Sequence, residues 1–411
     1  MKSTFRICIP AVGLLAAIAT AQQRYTVTDL KPLSGGNFSQ AFYVNDMGLT
    51  GGQSNIADAT QRAVLWLGRT ATPILVGPTG VNSGVFGVNE RGQAEVQSEL
   101  SDKDPNTENF CGYGTDRKCQ PFLWHNYVLT PLPLLGGNNG AVGGINSRGE
   151  ISGWAESATM DPDCAPPQKL DFEAVVWGPR QGELRRLRPL AGDTVSMSIW
   201  INDRGQAVGT SGTCANTGLL PLGHGAHPVL WDTNGSPLNI GMTNPTEEFG
   251  GIALAINNEG QVVGAATLPD GSLVAFLWSR QTGMRKLLPL PGDVASGAVS
   301  INDEGDAVGQ SFSPDGVPSP VIWNKGGDPK NLNDLSPGSS LFLLWPTAIN
   351  ARGEISGFGV TAGGDLHGFL AIPAGEAPHS AESAAQSEAG PPILPESVRA
   401  LMRSRFGVRG R

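Results

Sequence analysis

Four of the five cysteines, a His-x-x-His pair and an alternating run of acidic side chains are the groups of this 411-residue chain best suited to chemistry; the fifth, Cys8, lies in the N-terminal apolar run. Asp102, Asp104, Asn106 and Glu108 put an oxygen-bearing side chain at every second position, as a calcium loop does. Thr107 stands where a helix-flanked calcium loop has Gly, and Pro105 intervenes, so a solvated acidic loop is the plainer alternative. His224 and His227 have the spacing of zinc ligands, but His227 also falls on a repeated pattern that accounts for it without a metal. Cys111, Cys119, Cys164 and Cys214 allow three pairings. The expected bridges are Cys111 with Cys119 and Cys164 with Cys214, because an even count in an oxidising compartment favours disulfides over a thiol catalyst. Tyr113, Arg117, Glu156, Asp163 and His224 lie in the same stretches. Aromatic, guanidinium and carboxylate groups of this kind stack on and hydrogen-bond to sugars or peptides.

These stretches interrupt a repeat. A β-branched residue followed by Asn-x-x-Gly occurs seven times, at Asn45, Asn89, Asn146, Asn202, Asn257, Asn302 and Asn350. The copies are about 44 to 57 residues apart, the length of a propeller blade. A second Gly follows four positions after the first in six copies, and Val96 replaces it in the second copy. Each copy then reaches an apolar strand that ends in Trp, at Trp66, Trp124, Trp177, Trp231, Trp278 and Trp323, with Ala371 in the seventh. Pro-Leu-x-Gly precedes the Asn by the same 13 residues in four copies.

Asn-x-x-Gly between β-rich runs reads as a hairpin turn in which Asn bonds its own following backbone and Gly takes the positive φ. The Trp stripe reads as packing between neighbouring blades. Each copy thus supplies four strands, a to d, with the turn between a and b and the Trp at the end of c. The run Tyr25 to Leu30 is a d strand without its own a, b and c, and His367 to Ile372 is a c strand without its d. The expected fold is all-β: a seven-bladed β-propeller of four-stranded blades over residues 22–373, closed by the N-terminal strand in the last blade. From Asn to Trp the plain copies take 21 residues, whereas the second, third and fourth take 35, 31 and 29. All the extra length lies between b and c, on the face opposite the Asn turns, and it carries all of the candidate groups above except His227.

The repeat resembles the HAF family of probable extracellular repeat proteins, which couples Ile-Asn-x-x-Gly-x-x-x-Gly to His-Ala-Phe-x-Trp. Ala275 to Trp278 keep Ala-Phe-Leu-Trp whole, and the His is kept at His227 and His367. The resemblance spans about Tyr25 to Pro373 and implies secretion and a repeat fold; it brings no catalytic residue.

Composition agrees. With 56 Gly, 31 Pro and only 16% charged residues, the chain suits short strands and tight turns and excludes coiled coils and multi-span membrane folds. The formal charge of -9 argues against nucleic acid as a partner. Residues 1–21 read as a signal peptide, with Lys2 and Arg6, an apolar run from Ile7 to Ala19, and Ala19-Thr20-Ala21 before Gln22. That run is too short to span a bilayer, so the mature chain is expected outside the cell or in the periplasm. Residues 374–411 read as a flexible linker and a short basic amphipathic helix from Pro395 to Phe406. No Gly-x-Ser-x-Gly, His-Glu-x-x-His or phosphate-loop pattern occurs. The expected function is a non-catalytic scaffold that recognises a glycan or an extracellular protein through the inserted loops, with no cofactor unless calcium fills the acidic loop. The alternative is a hydrolase or lyase with acid and base carboxylates on that face.

Overall fold

The computed structural model describes residues 24–58, 60–67, 73–78, 80–216, 226–244, 247–248, 250–268 and 272–375. The expected leader, His224 and all but the first two residues of the C-terminal tail lie outside them. Seven antiparallel four-stranded sheets follow one another along the chain, each with its strands in the order a-b-c-d. Blade 1 comprises Ser39–Val44, Leu49–Asn55, Gln61–Leu67 and Pro73–Leu75. In blade 2 strands a to c are Ser83–Val88, Ala94–Lys103 and Arg117–His125, and in blade 3 Gly136–Ile145, Ile151–Met160 and Leu170–Trp177. Blade 4 begins with Val195–Ile201 and Ala207–Gly212, blade 5 with Gly250–Ile256 and blade 6 with Ala295–Ile301. Blade 7 takes Leu341–Ile349, Ile355–Thr361 and Leu366–Pro373 from the C-terminal end and its d strand, Tyr25–Leu30, from the N-terminal end. That strand pairs in register from Tyr25 opposite Pro373 to Leu30 opposite Gly368, so the ring closes as the sequence requires. Among the described residues no helix is long and apolar enough to cross a membrane.

The turn residues do what their chemistry dictates. The Gly of every Asn-x-x-Gly has a positive φ, between 69° and 86°. In the first turn Asn45 Oδ1 accepts from the N–H groups of Met47 (3.0 Å) and Leu49 (2.8 Å). The second Gly has a different cause: a Cβ added at Gly209 would lie 1.9 Å from the Met197 carbonyl oxygen on strand a. That close approach accompanies a bulge, because strand a slips register by one residue near its end in all seven blades.

Between blades the Trp side chains are buried, Trp124 less fully than the rest, and several also tie one blade to the last. The indole N–H of Trp177 donates to Pro133 O (2.7 Å), that of Trp231 to Arg188 O (2.7 Å) and that of Trp323 to Leu288 O (2.8 Å). The Pro-Leu-x-Gly crossovers are held likewise, with the N–H groups of Leu33, Leu190 and Leu290 donating to Ser54, Ser211 and Ser311 of the blade ahead. His227 and His367 are similarly structural, each with Nδ1 within 3.0 Å of a carboxylate, Asp193 and Asp29.

The repeated Asn has a second role. Its Oδ1 closes its own turn while its Nδ2 donates to the backbone carbonyl of the equivalent Asn one blade on. The series runs from Asn45 to Asn89, on through Asn146, Asn202, Asn257, Asn302 and Asn350, and back to Asn45, at 2.9 to 3.1 Å throughout. One residue type therefore makes both the hairpin and an unbroken hoop around the channel.

Candidate functional site

The described parts of the three insertions are not separate loops but one layer. In blades 2 and 3 strands b and c run on past the ring as extended hairpins, still paired at Lys103 with Arg117 and Met160 with Leu170. Cys111 is bonded to Cys119 within the first insertion, and Cys164 to Cys214 from the second to the third, as expected. Phe110 packs against Trp154 and Phe172 of blade 3 in a small core with Cys164 and Cys214. Glu108 fixes the first insertion to the second, its Oε1 accepting from the N–H groups of Lys169 (2.6 Å) and Leu170 (3.0 Å).

Of the acidic quartet, the structure gathers Asp104 and Glu108 and adds Glu156 from blade 3. Ligand atoms of these three carboxylates all lie within 4.8 Å of one another. Their exposures are 2%, 0% and 0%. Asp102 stands apart and exposed on the strand extension, and Asn106 donates its N–H to Asp104 Oδ1 (2.7 Å) and its Nδ2 to Glu108 (3.3 Å). Thr107 adopts φ 61°, the conformation for which a calcium loop uses Gly. The Asn139 amide, oriented by Cys119 N–H on its Oδ1, points Nδ2 at Asp104 and Glu156, both at 2.9 Å. Every donor here is neutral, and no Lys, Arg or His side chain among the described residues forms an ion pair with the trio. Burial, with the Glu108 charge beside it, pushes Glu156 up to about 7 against the lowering effect of its amide donors. Three carboxylates gathered away from water call for a proton or a cation, and their oxygens suit a hard one such as calcium.

The remaining candidates do not meet at one point. Tyr113 reaches blade 1, its hydroxyl 3.1 Å from Gln53 Oε1. Arg117 spends its guanidinium on the carbonyls of Leu100 and Ser101 in its own hairpin. Glu156 is buried, Asp163 is exposed at a tip, and His224 lies outside the described residues. Glu156 also serves the scaffold, accepting from Asn138 N–H just as Glu99 and Asn55 at the same blade position accept from Asn82 and Asn37.

Sequence reading missed Glu95. It lies on strand b opposite Gly87, at the position held by Val208, Val263 and Val308 in blades 4 to 6. It is fully buried and neither carboxylate oxygen has a hydrogen-bond partner, so burial holds its pKa well above the usual range. Only a Gly at position 87 admits it, since a Cβ there would lie 2.6 Å from Oε1. The signal was in the repeat: a carboxylate in a column that otherwise holds only Gly, Ser and Val. Glu95→Val, similar in volume, should therefore stabilise the fold by about 1–2 kcal/mol. The folded state holds this proton more tightly than the unfolded one, so wild-type stability falls as pH rises above the ordinary Glu range, and the gain should be larger at pH 8 than at pH 5. Denaturant titrations at the two pH values check this, and a variant weaker at both would refute it.

No protein-family model and no curated protein matches the sequence. Among solved structures, an acylaminoacyl peptidase of Pyrococcus horikoshii is similar at 12% identity and TM-score 0.46, over 82% of this chain and 51% of that one. A prolyl endopeptidase structure matches at 10% identity and TM-score 0.46, over 86% and 51%. AofleA from Arthrobotrys oligospora matches at 11% identity and TM-score 0.35, over 75% and 88%. The chain spans about half the length of these peptidases. Likeness this distant assigns no residue a role.

Proposed function

We propose that this chain is a secreted, non-catalytic binding scaffold of the HAF type whose recognition surface is the insertion layer over blades 2 to 4. The observation that carries the reading is the fusion of three insertions into one surface by Cys164–Cys214, Glu108 and Phe110, on one face of a closed ring. Loops held rigid on such a frame offer binding at little entropic cost. The ligand is a glycan or an extracellular protein. Calcium completes the proposal, held by Asp104, Glu108 and Glu156 as an internal strut of the layer.

The rival hydrolase reading required carboxylates that converge with separated proton affinities. They converge, but beneath the surface, where no substrate atom reaches them, and burial favours the strut. Cutting the blade 2 and blade 3 hairpins back to the length of the plain blades should abolish retention on a glycan array or in an extracellular pull-down; unchanged retention would remove this face as the site. Calorimetric titration should give saturable calcium binding that Asp104→Asn with Glu108→Gln eliminates. Absence of heat at millimolar calcium would retire the ion and leave the surface reading standing.

A further inference from the structure

On the opposite face, the hoop of Asn turns surrounds a cavity of about 240 Å3 at the mouth of the central channel. The residue after each Asn faces into it, and four of the seven are acidic: Asp46, Glu90, Asp203 and Asp303. Each has one oxygen fixed by a backbone N–H. Asp46 N–H donates to Glu90 (3.2 Å), Ser147 to Asp203 (2.7 Å), Asn258 to Asp303 (2.7 Å) and Ala351 to Asp46 (2.8 Å). The second oxygens of Asp46 and Glu90 accept no hydrogen bond among the described residues. Arginines one position further on are engaged elsewhere: Arg148 with Glu150, Arg204 with Glu259, Arg352 with Glu354, and Arg91 with the Arg148 carbonyl. The rim thus carries negative charge that these arginines do not neutralise.

Two aromatic rings, Tyr43 from blade 1 and Trp200 from blade 4, line the cavity and meet across the channel with centroids 4.9 Å apart. The other five blades have Gly, Ala or Ser at this position, which leaves the space the two rings fill. The buried, unpartnered Glu95 carboxyl lies over Gly87, where the cavity-lining Ile145 also approaches. Burial above all, and then the neighbouring Glu90, Asp46, Asp203 and Glu95, hold the Tyr43 phenol's pKa far above normal. Four carboxyl groups therefore bear on one aromatic residue at the base of an open cavity.

We propose that the Asn-turn mouth binds an alkylammonium group, seated against Tyr43 and Trp200, compensated by Asp46 and Glu90 and hydrogen-bonded to the carbonyl oxygen of the buried Glu95 carboxyl. A metal ion fits less well. Calcium wants six to eight converging oxygens, whereas these carboxylates are spread around a ring with one oxygen each tied to backbone. An aromatic floor favours an organic cation, whose attraction to the ring faces adds to that of the rim. The group can come from a free polyamine or from a lysine side chain on a partner protein.

Calorimetric titration of the full chain at low salt, with 1,5-diaminopentane and separately with a single-lysine peptide and its acetylated form, tests this. Saturable binding of an amine is expected, weakened about tenfold or more by Asp46→Asn with Glu90→Gln at an unchanged thermal midpoint. Glu95→Val, which removes the acceptor, should weaken it several-fold while far-ultraviolet dichroism stays the same. The diamine binding more tightly than the peptide identifies a free polyamine, and the reverse, lost on acetylation, identifies a lysine. No saturable heat with either amine, affinity unmoved in both variants, or displacement of the amine by calcium would overturn the proposal.

Discussion

Asn202→Ala should cost about 3–5 kcal/mol of unfolding free energy, a large loss for one uncharged side chain in a turn. Asn202 is only 4% exposed and all of its amide is in use. Oδ1 accepts from Arg204 (3.1 Å) and Gln206 (3.0 Å), and Nδ2 donates to Asn257 O (3.0 Å) and Gln206 Oε1 (3.1 Å). Truncation leaves two backbone donors and one inter-blade carbonyl short of partners at sites where water has little room. Asn202→Asp separates the two roles, since it keeps the acceptor that forms the turn and loses the donor that reaches the next blade. Denaturant titration followed by Trp fluorescence should place Asn202→Asp as low as, or below, Asn202→Ala. If the aspartate variant were as stable as wild type, the hoop would contribute nothing.

Replacing Cys164 and Cys214 together with Ser should lower stability by about 4 kcal/mol, against about 2.5 kcal/mol for Cys111 with Cys119. The ranking follows from loop entropy, because the first bridge spans 50 residues and the second 8. The first also joins two blades. Its loss should loosen the layer as well as the chain, and proteolytic cleavage should appear near Asp163 before the ring unfolds. Equal melting shifts for the two double variants would contradict this account.

The ring was legible because its causes are local and repeated seven times. Asn, the turn Gly and the second Gly each answer a constraint of their own hairpin, and the orphan strand from Tyr25 to Leu30 could pair only with the strand that lacked a partner. That the four cysteines are bridged followed from an even count and the expected compartment, whereas three pairings stayed open until the blades were placed. What the sequence hid were contacts between copies. Nothing in Asn-x-x-Gly tells where Nδ2 points, since the acceptor is a backbone carbonyl about 50 residues on. The acidic quartet was read as one continuous loop, whereas strand pairing carries Asp102 outward and brings Glu156 in from the neighbouring blade. Tyr113 and Arg117 have side chains suited to ligands, but the hairpin and blade 1 use them first. Glu95 and the acidic mouth were visible only on comparing equivalent positions across copies.

The seam in blade 7 also sets an order in time. Its outermost strand is made among the first and its partner, Leu366–Pro373, among the last, so during synthesis Tyr25–Leu30 waits, unpaired and rich in β-formers, while some 340 residues emerge. At ordinary rates of translation that wait lasts tens of seconds, far longer than a hairpin takes to form. Six blades can therefore be complete while the ring is still a broken arc with two sticky ends. Anything that binds extended chain has that interval in which to act, and a ribosome that stalls before Leu366 yields an arc that cannot shut.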